Sequence, residues 1–260
     1  MLAFLPLVFV LISWPCYAQK HWPGPASPAK AAGASRKAGI QWVSIPGGTL
    51  SRGEWNGAHH VKVNVFQMAK TEVTVEQYKA CVDDGACTVP NKGDHCTWSV
   101  AGKESHPVNC VDWNQAKEFS EWVGGRLPTD AEWEYAAGSA DRNWKYPWGN
   151  EEATCGKAVI SEGVNGCGKD STWPVCSKVE GNSEQGLCDL VGNVWEWVQD
   201  WYRGSPRDDE PRDGSAREYP DGSNRVFRGG AWTFRASYAR VGLHYFPGYR
   251  ADYLGFRPVR

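Results

Sequence analysis

The stretch Gly125-Arg126-Leu127-Pro128-Thr129-Asp130-Ala131-Glu132-Trp133-Glu134-Tyr135-Ala136 carries the clearest local signal in the chain. Thr129 followed three residues later by Glu132 is a reciprocal helix start. The hydroxyl accepts an orphan backbone N–H, and the carboxylate reaches back to the Thr129 amide. A helix is therefore expected through Trp133, Tyr135 and Ala136, stopping at Gly138. The same pattern predicts helices after Thr74 (with Gln77) and after Asp112 (with Gln115). The helix after Asp112 spaces Trp113, Ala116, Phe119 and Trp122 by three, giving one apolar stripe that ends at Gly124-Gly125.

Outside these helices the signal is short strands: residues 61–65, 195–198, 225–228 and 254–257. Gly-, Pro-, Asp- and Asn-rich chain separates them, and no internal repeat is visible. An α+β single domain with little regular secondary structure, running from 40 to 260, is the expected fold class. Composition agrees. With 15 Trp and 29 Gly among 260 residues and 41% hydrophobic residues, a large Leu/Ala helical bundle is a poor fit, and aromatic rings must supply much of the buried area. Lys and Arg number 28 against 30 Asp and Glu, a net charge of −2 that offers no basic footprint for nucleic acid or an anionic membrane.

Residues 1–19 contain no charged side chain. An apolar run from Leu2 to Trp14, followed by Pro15-Cys16-Tyr17-Ala18-Gln19, reads as a signal peptide whose apolar core is too short to span a bilayer. Residues 20–39, rich in Ala, Pro, Gly and Lys, read as a flexible linker. The expected location is secreted or periplasmic, with no integral membrane segment after signal removal. Eight cysteines follow Cys16, all between Cys81 and Cys188. An even number in an exported chain predicts up to four disulfides. Proximity pairs Cys155 with Cys167 and Cys176 with Cys188, leaving Cys81, Cys87, Cys96 and Cys110 to pair among themselves. No Cys-x-x-Cys spacing supports zinc.

Eight motifs in order then become specific. They are Trp42-Val43-Ser44-Ile45-Pro46-Gly47-Gly48, Lys70-Thr71-Glu72-Val73-Thr74, the stretch from His106 to Trp113, and the opening stretch from Gly125 to Ala136. Tyr146-Pro147-Trp148-Gly149, Gly192-Asn193-Val194-Trp195-Glu196-Trp197, Arg228-Gly229-Gly230-Ala231-Trp232 and Leu254-Gly255-Phe256-Arg257 complete the series. In this order the chain resembles the formylglycine-generating enzyme (sulfatase-modifying factor) family. The resemblance implies a C-type-lectin-like α+β fold. It also implies an oxygen-dependent oxidoreductase ancestry, in which a cysteine of a sulfatase becomes formylglycine.

The family's copper(I) is held by two cysteines separated by four residues, just after the Arg-Gly-Gly strand, because a soft cation prefers thiolates. The matching positions here are Phe234 and Ala239; Ala231 replaces a serine and Arg235 a histidine. Copper is therefore not expected, and no catalytic residue is assigned. Ser120 and Pro258 stand where the family can carry a structural disulfide. The resemblance also implies a structural calcium, with ligands from the side chains of Asp189 and Glu196 and the carbonyls of Gly192 and Val194, oxygen donors suited to a hard cation. The alternative is that Asp189 caps a turn and Glu196 faces solvent. Pocket candidates are Trp195, Phe234, Arg235 and Tyr238, with Arg240 beside them and Trp232 read as core; aromatics with Arg make a good binding surface.

Other catalytic patterns are missing: no Gly-x-Ser-x-Gly elbow and no phosphate-binding glycine loop. His244 lies near the pocket in sequence, and the run from Arg207 to Asp213 reads as a solvated insertion. Two functions follow. One is an exported, calcium-stabilised binding or accessory protein for an unknown protein, peptide or small-molecule ligand, without formylglycine synthesis. The other is an oxidoreductase acting on another substrate in the same pocket.

Overall fold

The computed structural model describes residues 27–52, 59–202, 211–218, 224–245 and 251–260. The expected signal peptide and residues 207–210 of the expected insertion lie outside the described residues. Helix α1 (Pro28–Lys37) precedes four strands, β1 (Trp42–Ile45), β2 (Gly48–Arg52), β3 (His59–Val63) and β4 (Phe66–Ala69). Helices α2 (Val75–Asp83), α3 (Trp113–Trp122) and α4 (Asp130–Ala137) follow, then β5 (Trp195–Trp201), β6 (Arg225–Arg228), β7 (His244–Tyr245) and β8 (Leu254–Gly255). The α+β class read from the sequence is the one observed.

The strands form two antiparallel ribbons, β1 with β4 and β2 with β3, and one sheet in the order β7-β6-β5-β8. In that sheet only β5 and β8 run parallel. All three predicted helix starts carry both reciprocal bonds of the capping box. Ala116, Phe119 and Trp122 turn the α3 stripe into a core, where Phe119 stacks on Tyr78 at 5.6 Å and meets Phe256 at 5.4 Å. On the other side of the molecule Ile45, Val61, Met68 and Tyr135 pack β1–β4 against α4.

Every residue of α4 is buried, including Asp130, Glu132 and Glu134. Such charges survive burial only when paired. Arg228 Nε meets Asp130 at 2.5 Å and its Nη2 meets Glu134 at 2.9 Å, while Arg52 Nη2 reaches the same two carboxylates at 3.0 and 2.9 Å.

Three expectations need correction. The linker expected over 20–39 is helical from Pro28 to Lys37, with Ala31, Ala34 and Ser35 buried. Its small side chains fit a close approach to α3: a Cβ on Gly124 would lie 2.7 Å from that of Ala31. Trp42 Nε1 donates to Ser35 Oγ at 2.9 Å, and Lys37 pairs with Asp84. The strand read at 61–65 is β3, two residues earlier, with His59, Val61 and Val63 inward and Val65 exposed. The strand read at 254–257 is β8, only two residues long.

All four disulfides join near neighbours: Cys81–Cys87, Cys96–Cys110, Cys155–Cys167 and Cys176–Cys188. The last two are the pairs expected from proximity. The glycine at 125 has a steric reason, since a Cβ there would stand 2.2 Å from the Val259 carbonyl oxygen. That approach lets Arg126 and Val259 exchange two backbone hydrogen bonds of 2.8 Å, fastening the last strand-like residues beside α3.

Candidate functional site

Strand β5 sends alternate side chains to opposite faces, and both faces are covered. Trp195 and Trp197 point to one side, where Phe227 of β6 meets their rings at 4.9 and 5.7 Å. Glu196 points to the other side, toward α4 and the C-terminal segment.

The Trp195 side is an aromatic wall. Phe234 meets Trp195 edge-on at 5.6 Å, and Tyr238 and Tyr253 flank Phe234 at 5.5 and 5.3 Å. Tyr245 approaches Trp195 at 6.4 Å. The wall grades from the inside outward: Trp195 is 1% exposed, Phe234 is half-buried, and Tyr238 and Tyr245 are 42% and 53% exposed. Among the described residues the buried Trp195 indole N–H has no hydrogen-bond partner. Buried indole N–H groups usually find one.

The predicted pocket residues Trp195, Phe234 and Tyr238 thus come together, while Arg235 and Arg240 are exposed beside them. Trp232 is core, as expected: its backbone N–H donates to the Asn193 carbonyl at 3.0 Å and its carbonyl accepts from Gly166 N. Ala231 and Ala239 are buried. Tyr245 and Tyr253 were not predicted. Tyr245 arrives on β7 and Tyr253 from the turn before β8, and only their aromatic character within the C-terminal third pointed to them.

The Glu196 side is ionic. Arg257 donates from Nη2 to Glu196 Oε1 at 2.6 Å and from Nε to Oε2 at 2.8 Å, and Trp133 Nε1 donates to Oε2 at 2.7 Å. Arg257 Nη2 also reaches the Cys188 carbonyl at 2.8 Å. Glu72 lies alongside, accepting from Asn193 Nδ2 at 2.7 Å and Val194 N at 3.1 Å. Asp189 Oδ2 accepts from Cys176 N at 2.5 Å.

Burial, then the charges of Asp189 and Glu196, hold the Glu72 carboxyl well above its ordinary pKa, and burial raises Asp189 to about 6. Burial opposes the charge of Arg257, but Glu196, Glu72 and Asp189 outweigh it and raise its pKa. Three carboxyl groups share one guanidinium. Glu196 does not face solvent: it is fully buried. The sequence reading missed Glu72 and Arg257. A charged residue inside each apolar motif, beside Val73 and beside Phe256, was the available signal.

The residues expected to hold calcium occupy one continuous turn into β5. Asp189 is left-handed at φ 54° and Gly192 at φ 86°, which curls the chain between the two carboxylates. Their carboxylate and carbonyl oxygens, with a third buried carboxyl group, Glu72, alongside, are the donor types a hard cation takes. Arg257 and Trp133 already engage both oxygens of Glu196. Among the described residues no cluster of three or more His, Cys, Asp or Glu side chains is arranged for a metal. Main-chain oxygens would have to complete any such site.

Comparison with known proteins places this architecture. Residues 28–260 match the sulfatase-modifying factor enzyme 1-like domain. The formylglycine-generating enzyme of Streptomyces coelicolor is 39% identical over 152 residues, which is 54% of this chain and 46% of that enzyme. The inactive C-alpha-formylglycine-generating enzyme 2 of Bos taurus is 33% identical over 175 residues, 61% of this chain and 51% of that protein. The chain thus spans about half the length of these curated relatives. The structure of PvdO from Pseudomonas aeruginosa shares the fold, with a TM-score of 0.71 at 24% identity over 84% of this chain and 93% of that one. The chain belongs to the sulfatase-modifying factor enzyme 1-like family.

Proposed function

We propose that this protein is an exported, disulfide-stapled binding or accessory member of its family, which receives a ligand against the aromatic wall and does not make formylglycine. The observation that carries the reading is the identity of the wall itself. On the resemblance read from the sequence, Phe234 and Ala239 fall where the family's copper chemistry has thiols, and all eight cysteines among the described residues are in disulfides. No thiolate is available there for a soft cation. In its place stand edge-to-face rings, an exposed Arg235 and a Trp195 N–H without a partner among the described residues, which suit an aromatic or planar ligand bearing one acceptor. The bovine relative, named inactive, is a precedent for a member without the reaction. Four disulfides suit an oxidising compartment, secreted or periplasmic.

Incubation with copper(I), oxygen and a sulfatase-motif peptide is expected to yield no aldehyde product; turnover overturns the proposal. A panel of peptides, glycans and small aromatic metabolites then tests the wall. A ligand held by the parent and weakened by Tyr245→Ala supports binding there. Oxygen uptake with any member supports instead an oxidoreductase acting on another substrate in the same pocket.

A structural calcium at the turn from Asp189 to Glu196 is part of the same proposal. Its support is the imbalance of three buried carboxyl groups around one guanidinium. Asp189 and the carbonyls of Gly192 and Val194 would hold the ion, with Glu196 shared between it and Arg257. Bound there, the ion would supply charge balance and rigidity.

A further inference from the structure

The loop from Asn165 to Lys178 is pinned to a second turn by three contacts. Lys103 Nζ donates to Ser171 Oγ at 2.7 Å, Val175 N donates to the Ser105 carbonyl at 3.0 Å, and the His106 ring meets Thr172 Oγ1 at 2.9 Å. Trp173, half-buried at the centre, is fixed at both ends. Its backbone N–H donates to Asn193 Oδ1 at 3.0 Å and its indole N–H to the Gly166 carbonyl at 2.8 Å. Two ammonium groups stand over this ring, Lys169 at 3.6 Å and Lys178 at 4.0 Å from its centroid.

A ring face attracts a cation, and one lysine over a tryptophan needs no further reason. Two are different. Their ammonium groups are no farther apart than those two distances laid end to end, and Lys103 is held two residues away on Ser171. Among the described residues none of the three forms an ion pair. The nearby acids are otherwise placed: Asp170 is met by Asn165 Nδ2, Glu104 is exposed, and Asp189 is buried beneath Lys178. Burial, and then the neighbouring Lys169, lower the pKa of both Lys103 and Lys178. The fold therefore gathers three like charges, none in an ion pair among the described residues, with the buried Asp189 attracting only Lys178.

We propose that Lys103, Lys169 and Lys178, gathered around Trp173, form a receptor for a tetrahedral oxyanion, phosphate or sulfate. Three point-like ammonium donors and the Ser171 hydroxyl match a group with several acceptor oxygens distributed around one centre. A carboxylate, with two oxygens in one plane, uses such a set less fully. The site uses none of the aromatic-wall residues and does not depend on how the wall is used. The oxyanion can be a free ion or an ester on a sugar.

Calorimetric titration of the full chain at constant ionic strength, with chloride as the balancing anion, tests the proposal. Inorganic phosphate or sulfate is expected to bind saturably with one equivalent. Lys169→Gln and Lys178→Gln should each weaken binding about tenfold or more, while Lys79→Gln, whose parent lysine pairs with Asp83 elsewhere, should leave it unchanged. Tighter binding of glucose 6-phosphate or glucose 6-sulfate than of the inorganic ion identifies an esterified ligand; equal binding identifies the free ion. On the unmodified protein, the oxyanion should protect Lys103, Lys169 and Lys178 from acylation in a mass-spectrometric map. Heats no larger than the chloride control, or a Lys169→Gln/Lys178→Gln double variant that binds like the parent, overturn the proposal.

Discussion

Arg257 and Glu196 hold each other through contacts of 2.6 to 2.9 Å, 61 residues apart in the chain and both out of reach of solvent. Removing one member of such a pair leaves the other as an uncompensated buried charge. Arg257→Met should therefore destabilise the protein by about 3–5 kcal/mol, read as a shift in the urea midpoint. Adding Glu196→Gln to that variant should recover part of the loss. A change below about 1 kcal/mol for Arg257→Met would mean that the cluster is balanced by something else.

That something else is calcium on the reading proposed above. Chelation should then lower the melting temperature, and Asp189→Ala should abolish the response. Saturation at a hundred times the dissociation constant corresponds to about 2.7 kcal/mol of stabilisation. An unchanged melting temperature on chelation leaves Arg257 as the cluster's sole counter-charge and removes calcium from the account.

His106 gives the protein an acid-side dependence of known sign. Burial, then the charges of Lys103 and Lys169, lower its pKa from the ordinary 6.5 to about 4. The unfolded chain takes up a proton near 6.5 that the folded chain refuses until about 4. This contribution to stability is complete above 6.5 and is lost as the pH falls toward 4. Asp189, raised by burial to about 6, slopes the other way, so the test is a difference. Between pH 6.5 and 4 the parent should lose more stability than His106→Gln. Parallel curves would count against it.

The Cys176–Cys188 bridge flanks the ionic cluster: Cys176 N donates to Asp189 and the Cys188 carbonyl accepts from Arg257. Replacing both cysteines by alanine should destabilise the fold by about 2–4 kcal/mol. The Cys81–Cys87 bridge closes a separation of 6 rather than 12 residues, and its loss should be the smaller. Urea midpoints of the two double variants check the order.

Local chemistry was legible in the sequence, and distant pairing was not. Thr74, Asp112 and Thr129 announce their helices because a cap and its reciprocal partner lie three residues apart. Cys155 finds Cys167, and Cys176 finds Cys188, for the same reason of proximity. Helix α1 escaped because it packs through Ala31 and Ala34, whose small side chains give no hydrophobic stripe. Glu196 was read as a calcium ligand or a solvated strand residue because Arg257 is far away in sequence. At the aromatic wall, Trp195, Phe234 and Tyr238 were found by resemblance, whereas Tyr245 and Tyr253 join them only through tertiary contact.

The close approach of the final residues to Gly125 also sets an order of assembly. Each disulfide spans at most 14 residues and can close once its own loop has been made. Val259 bridges Met68 and Arg126, and Arg260 bonds Gln67 across 193 residues, so those joints must wait until residues 259 and 260 have been made. Contacts of such long range slow folding. The protein should therefore pass through a state that is already oxidised but not yet closed, with refolding limited by docking of the segment around Val259 rather than by thiol chemistry.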